Sequence, residues 1–192
     1  MTRAWKKVPF LRWSFWRMAL GRKQLLTTWQ VGDGREERLA QYVAANARQG
    51  DLDDVIRVID QYAYDEAFLI NVGDEKGAIL DAAVRRAQPK RVLELGTYCG
   101  YSALRMARVA PRAHIHSIEF SADNAGIARR IFEHAGVADR ITVVVGTLGD
   151  GGATLSQLRS EHGTGVLDFV FVDHDRLRFV PPGLALRFLA ER

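Results

Sequence analysis

Two carboxylates and a pair of glycines carry the first chemical signal in this 192-residue chain. Glu94 stands just before Leu95-Gly96-Thr97-Tyr98-Cys99-Gly100-Tyr101-Ser102, and Glu119 follows Gly96 by 23 residues. A strand that runs into a glycine-bearing turn and then a helix is the ligand-binding crossover of a doubly wound sheet. Gly96 lets the backbone turn sharply and lie close to a ligand. Gly100 is expected to allow close helix–strand packing, and the N–H groups at the helix start face the ligand. The spacing is G-x-x-x-G, not the G-x-G-x-x-G of dinucleotide binders. Tyr98 sits where a second glycine would admit a pyrophosphate, and Glu94 would place an anion beside it. A ligand without phosphates and with a positive charge fits better.

S-adenosylmethionine is such a ligand. Its sulfonium is favoured by carboxylates and by aromatic faces, which Tyr98 and Tyr101 can supply. At the tip of the second strand, Glu119 can accept hydrogen bonds from two ribose hydroxyls. A nicotinamide-linked oxidoreductase of similar fold is the competing reading, and the glycine spacing disfavours it. Other candidates are weaker. His114 and His116 alternate along one strand, but two histidines without a third ligand are poor evidence for zinc. Cys99, the single cysteine, reads as a packing residue in a reducing compartment.

Positioning these residues requires an alternating chain. Helical periodicity predicts helices over Arg35–Arg48, Asp51–Tyr62 and Ile79–Ala87, with residues 72–77 as a loop before the last. Strands are predicted over Arg91–Leu95, Ala113–Ile118, Ile141–Val145 and Leu167–Val172. Helices over Ser102–Val109, from Ser121 to Ala135, and over Thr154–Arg159 separate them. Strand and helix alternating at this spacing give right-handed βαβ units, hence an α/β fold with a Rossmann-like, doubly wound, mostly parallel sheet.

Longer segments resemble catechol O-methyltransferase. They are Ile70-Asn71-Val72-Gly73-Asp74-Glu75-Lys76-Gly77, Glu94 through Ala103, Arg105-Met106-Ala107-Arg108, Ala135-Gly136-Val137 and Val170-Phe171-Val172-Asp173-His174. The likeness runs from Gly34 to Pro181, about three quarters of the chain. It implies a class I methyltransferase that uses S-adenosylmethionine and Mg²⁺ to methylate a hydroxyl of a catechol-like small phenol. By motif, Val72, Glu94, Gly96, Tyr98 and Ser102 would hold the methionine end of the cofactor and Glu119 the ribose. Asp173 would border the cofactor and ligate Mg²⁺, His174 would lie beside the adenine, and Phe68 would gate the substrate ring.

The chain departs from that family in four places. The family completes its metal site with an Asp-Asn pair from the next strand, and here only Asp173 is present. Its catalytic lysine position holds Arg176, a poor general base because arginine stays protonated. Its adenine-stacking tryptophan corresponds to Asp175, and a polar pair after the third strand corresponds to Leu148-Gly149. The last three strands have no counterpart before Arg192, which would leave the fourth strand as an apolar edge. The alternative to an active enzyme is therefore a cofactor-binding protein with impaired catalysis, or a shortened methyltransferase.

Charge separates a head from this body. Residues 1–30 hold seven basic side chains, no acidic ones and all four tryptophans. Removing those seven from the 27 Lys and Arg leaves 20 against 23 Asp and Glu, so the body is mildly acidic, which disfavours a chain-wide nucleic-acid surface. Residues 1–33 read as a basic, Trp-rich extension, and residues 34–192 as the methyltransferase domain, incomplete at its C-terminus. The head lacks the ~20 uninterrupted apolar residues of a membrane span. It reads either as a peripheral membrane anchor or as a basic extension packed on the body, and the expected location is cytoplasmic, with peripheral membrane contact in the first case.

Overall fold

The computed structural model describes residues 33–162 and 166–173. Three helices come first: α1 (Arg35–Asn46), α2 (Leu52–Asp65) and α3 (Gly73–Ala87). The alternating part follows as β1 (Arg91–Leu95), α4 (Tyr101–Val109), β2 (His114–Glu119), α5 (Ala122–His134), β3 (Ile141–Val145), α6 (Ala153–His162) and β4 (Phe169–Val172).

Local chemistry explains the helix starts. Asp51 caps α2 by accepting from the Asp54 N–H at 2.9 Å, with Asp53 and Asp54 in the first turn where the helix dipole favours acids. Ser121 caps α5 through the Asn124 N–H, and Gly136 takes φ 71° just past its end, the left-handed stop that glycine adopts cheaply. The expected loop at 72–77 is a correction. Helix α3 begins at Gly73, because Asp74 and Glu75 suit its first turn and Gly77 lies inside the helix at a contact that no side chain could share.

The four described strands are parallel in the order β3-β2-β1-β4. Arg91 pairs with His114 and Leu95 with Ile118, while Leu95 also faces Val172 of β4. Period-two alternation splits the core between the two faces. Val92, Ile115 and Val143 join the larger cluster with α1 to α5. Leu93, Leu95, Ile118 and Val144 turn to the other face, where Leu158 of α6 meets them. Among the described residues β4 pairs only with β1, and Val172 is 52% exposed.

The strand order reverses beside β1, since β2 and β3 lie to one side and β4 to the other. A parallel sheet opens a crevice at the carboxyl ends of its strands at such a switch point. No helix among the described residues is long and apolar enough to cross a membrane.

Gly100 corrects another expectation. At φ 86°, it admits the Phe132 ring of α5, a helix–helix contact rather than a helix–strand one. A methyl group there would meet both the ring and an unfavourable backbone conformation. Gly100→Ala should lower the unfolding free energy by about 2–4 kcal/mol, measured by urea denaturation; a loss below about 0.5 kcal/mol would contradict this packing.

Candidate functional site

A cavity of about 290 Å³ lies at the switch point. Each strand end contributes a wall. Leu95 to Tyr98 come from β1 and its turn, Ile118 to Phe120 from β2, Gly146 to Leu148 from β3, and Asp173 from β4. Tyr101 and Ser102 of α4, with Ile70 and Asn71 from the segment before α3 and Lys76 from its first turns, complete the lining.

The turn after β1 is held tightly. Gly96 takes φ 100° and donates its N–H to the Ile118 carbonyl at 3.0 Å. Tyr98 takes φ 50°, a left-handed conformation that is costly for a bulky residue. Its N–H donates to Glu119 Oε2 at 2.7 Å, and its hydroxyl donates to Glu36 Oε1 at 2.9 Å. Glu119 is 5% exposed and also accepts from the Ser121 N–H. Burial raises its pKa, and these N–H groups oppose the rise.

Glu94 is fully buried just beneath the wall. Ser102 donates to one carboxyl oxygen and Ser117 to the other, both at 2.5 Å, and Ser117 also meets Thr97. Burial pushes Glu94 up to about 7; the two hydroxyls pull it down, and Asp173 and Glu119 push it further up. A cation in the cavity would favour its ionised form.

Of the residues expected at the site, Gly96, Tyr98, Ser102, Glu119 and Asp173 line this cavity. Glu94 acts from behind through Ser102. Val72 caps α3 and packs on the larger core cluster, off the cavity wall. Phe68 is half-buried and also off the wall, its carbonyl accepting from the Arg35 guanidinium. His174 and Arg176 lie outside the described residues. Residues given no role from sequence are Asn71, which precedes α3, Lys76, whose segment was read as a loop, and Glu36, whose pairing with Tyr98 spans 62 residues. The Asn71 amide nitrogen is buried without a hydrogen-bond partner. A buried donor left unpaired is costly, so it points to a ligand acceptor.

The metal expectation fares differently. No group of three or more His, Cys, Asp or Glu side chains among the described residues could hold a metal ion. Mg²⁺ needs near-octahedral oxygen coordination, and Asp173 alone does not make such a site. The rings of His114 and His116 lie 4.7 Å apart at the opposite end of β2 from the cavity. Cys99 is buried and its thiol pKa is pushed well up by that burial, which fits packing.

A family model described as O-methyltransferase matches residues 49–181. The chain belongs to the O-methyltransferase family. It is 58% identical over 166 residues to a protein of Mycobacterium tuberculosis named a probable O-methyltransferase, a match covering 85% of this chain and 71% of that one. It is 41% identical over 157 residues to the catechol O-methyltransferase of Bos taurus, covering 81% of this chain and 57% of the relative. The chain thus spans little more than half the length of that relative. A crystal structure of an S-adenosylhomocysteine-bound methyltransferase from Podospora anserina superposes with a TM-score of 0.51 at 26% identity, covering 74% of this chain and 58% of that one. The parallel sheet with flanking helices is that of class I S-adenosylmethionine-dependent methyltransferases.

The buried carboxylate makes stability depend on pH. Between about pH 4.5 and 7 the folded chain keeps a proton on Glu94 that the unfolded chain has released. Stability therefore falls as pH rises through that window, and the loss is complete above about 7. Glu94→Gln removes this contribution. Its unfolding free energy should fall between pH 5 and pH 8 by about 2–3 kcal/mol less than that of the wild type; equal falls in urea titrations would refute the assignment.

Proposed function

We propose that the chain binds S-adenosylmethionine in the switch-point cavity and transfers its methyl group to a hydroxyl of a catechol-like phenol. The observation that carries this reading is the residue make-up of the cavity lining. Asn71, Lys76 and Ser102, at α4 and around the start of α3, give the lining a polar end suited to an amino-acid zwitterion, while at the β2 and β3 tips Ile118, Phe120 and Leu148 make a mostly apolar end suited to a flat base, with Asn124 and Thr147 as its polar members. Glu119, at the β2 tip, is a carboxylate that would accept from ribose hydroxyls.

When bound, the cofactor supplies a methyl group on a positively charged sulfur, so no covalent enzyme intermediate is needed. The chain's own residues bind and orient. Ser102, backed by Glu94, and the unpaired Asn71 amide would hold the amino-acid end, with the Lys76 ammonium near its carboxylate. Tyr98 and Tyr101 present ring surface to the cationic sulfur. Asp173 sits at the exposed mouth, where the acceptor would enter.

The catechol class of acceptor is supported by the likeness to the bovine relative. Mg²⁺ dependence rests on the same likeness, and Asp173 at the β4 end is the described residue that would contribute a ligand. A second reading is a cofactor-binding protein without turnover, favoured by arginine at position 176. We also propose a phenolic small molecule, not nucleic acid, as the partner, from the mildly acidic body.

Calorimetry with S-adenosylhomocysteine, followed by transfer of a labelled methyl group to catechol with added Mg²⁺ or EDTA, tests these readings. The full chain should bind the nucleoside, and Glu119→Gln should weaken binding about 10-fold, the loss of a charge-assisted hydrogen bond. No binding by the wild-type chain would overturn the proposal. Binding without any methylated catechol would favour the second reading.

A further inference from the structure

Behind the polar end of the cavity lies a buried ionic cluster that the methyl-transfer reading does not use. Its centre is Arg105 of α4, 5% exposed. The guanidinium donates to Asp81 of α3 from Nε at 3.1 Å and from Nη2 at 2.7 Å. Its remaining arm, Nη1, donates to the Tyr101 hydroxyl at 3.0 Å and to the Asp74 carbonyl at 3.2 Å. The Tyr101 hydroxyl donates in turn to Asp60 of α2 at 2.6 Å. Arg108 adds a second cation on Asp81 at 2.6 Å.

The fit requires glycine. A Cβ built on Gly77 would lie 2.5–2.7 Å from the Arg105 guanidinium, so the arginine occupies the notch left by the missing side chain. Burial alone would lower the Arg105 pKa, but its bonds to Asp81 and Tyr101 hold it above its ordinary value.

One target of the Nη1 arm is a wall residue of the cavity and the other is set between two that are. Tyr101 lines the cavity, and the Asp74 carbonyl, itself off the wall, lies in the first turn of α3 between Asn71 and Lys76, which line it. We propose, on the basis of the cofactor reading above, that Arg105 is a positioning residue for the amino-acid end of S-adenosylmethionine, setting Tyr101 and the start of α3 in register with each other. A planar guanidinium can serve Asp81 with two donors and still reach two further acceptors. A lysine ammonium has three donors on one atom and cannot span these positions. The bonds of this cluster run to α2, α3 and α4, away from the β2 and β3 tips that carry Ile118 and Leu148.

That separation defines the test. Calorimetry compares two probes on the full chain: S-adenosylhomocysteine, and 5′-methylthioadenosine, which keeps the nucleoside and lacks the amino-acid end. Arg105→Lys should weaken S-adenosylhomocysteine binding about 5–10-fold and change methylthioadenosine binding less than about twofold, the scale expected when an outer hydrogen-bonding partner is disturbed. Tyr101→Phe, which keeps the ring and removes only the hydroxyl, should show the same selectivity and decides the matter if the lysine variant loses its cooperative melting transition. Equal weakening of both probes, or no change in either, overturns the positioning role while the cofactor reading stands. A wild-type chain that binds neither probe overturns both.

Discussion

The turn between β1 and α4 must pass a tyrosine through left-handed backbone space, and the rest of the site depends on what holds it there. Such a conformation costs on the order of 1–3 kcal/mol and persists only where its surroundings over-determine it. Here the Tyr98 N–H is fixed by Glu119 and its hydroxyl by Glu36. One bond ties the turn to the tip of β2, and the other ties it to α1, the first helix of the described chain. The pyrophosphate-binding alternative would need a small residue at this position, because backbone and phosphate must touch. A tyrosine locked in the cavity lining instead presents ring surface, which suits a cationic group without phosphates.

Much of this was legible in the sequence because it is local. β1 and β3 are five-residue strands rich in Val, Leu and Ile, β2 keeps Ile115 and Ile118 as its apolar residues, and the amphipathic stretches between them leave few solutions other than a parallel sheet. Ser121 and Gly136 mark the ends of α5 by chemistry that acts within one turn. Glu119 was recognisable because strand position alone places it beside the Gly96 turn. The misread segment was 72–77, where two glycines resemble a loop. Gly77 is there for a tertiary reason, the approach of Arg105, and no window around residue 77 contains that information. Glu36 was invisible for the same cause. An acid in the first turn of a helix looks like a solvated dipole partner, and only the fold reveals that it is 1% exposed and bonded to a tyrosine 62 residues away.

The buried charges follow a consistent pattern. Burial would raise Asp81, but Arg105 and Arg108 outweigh it and hold the carboxyl below its ordinary range. Asp60, which burial raises and the Tyr101 hydroxyl only partly offsets, sits at the edge of the same cluster. Replacing such a cluster with apolar side chains often costs little stability, so its presence argues for geometry rather than for strength. Glu94 is the counterexample. Its partners are two hydroxyls, no cation stands beside it, and its pKa rises to about 7. A carboxylic acid just beneath the cavity wall is thus poised to ionise when positive charge arrives.

The two ends of the cavity are built by different parts of the chain. The polar end belongs to α3 and α4, whose spacing is set by the arginine cluster. The apolar end belongs to the tips of β2 and β3, where Gly146 admits Thr154 and the Thr154 hydroxyl accepts from the Thr147 N–H at 3.1 Å. Leu148 then turns inward at 5% exposure and joins Ile118 in the smaller core cluster. Leucine and glycine at 148 and 149 offer a base no side-chain hydrogen bonds, whereas the neighbouring Thr147 and Asn124 of α5 are polar residues that also line the cavity. Sites with no shared partners respond to substitution nearly independently. In the proposed binding mode, the nucleoside and the amino-acid tail of one ligand would therefore be tuned separately, the first from the sheet and the second from the helices.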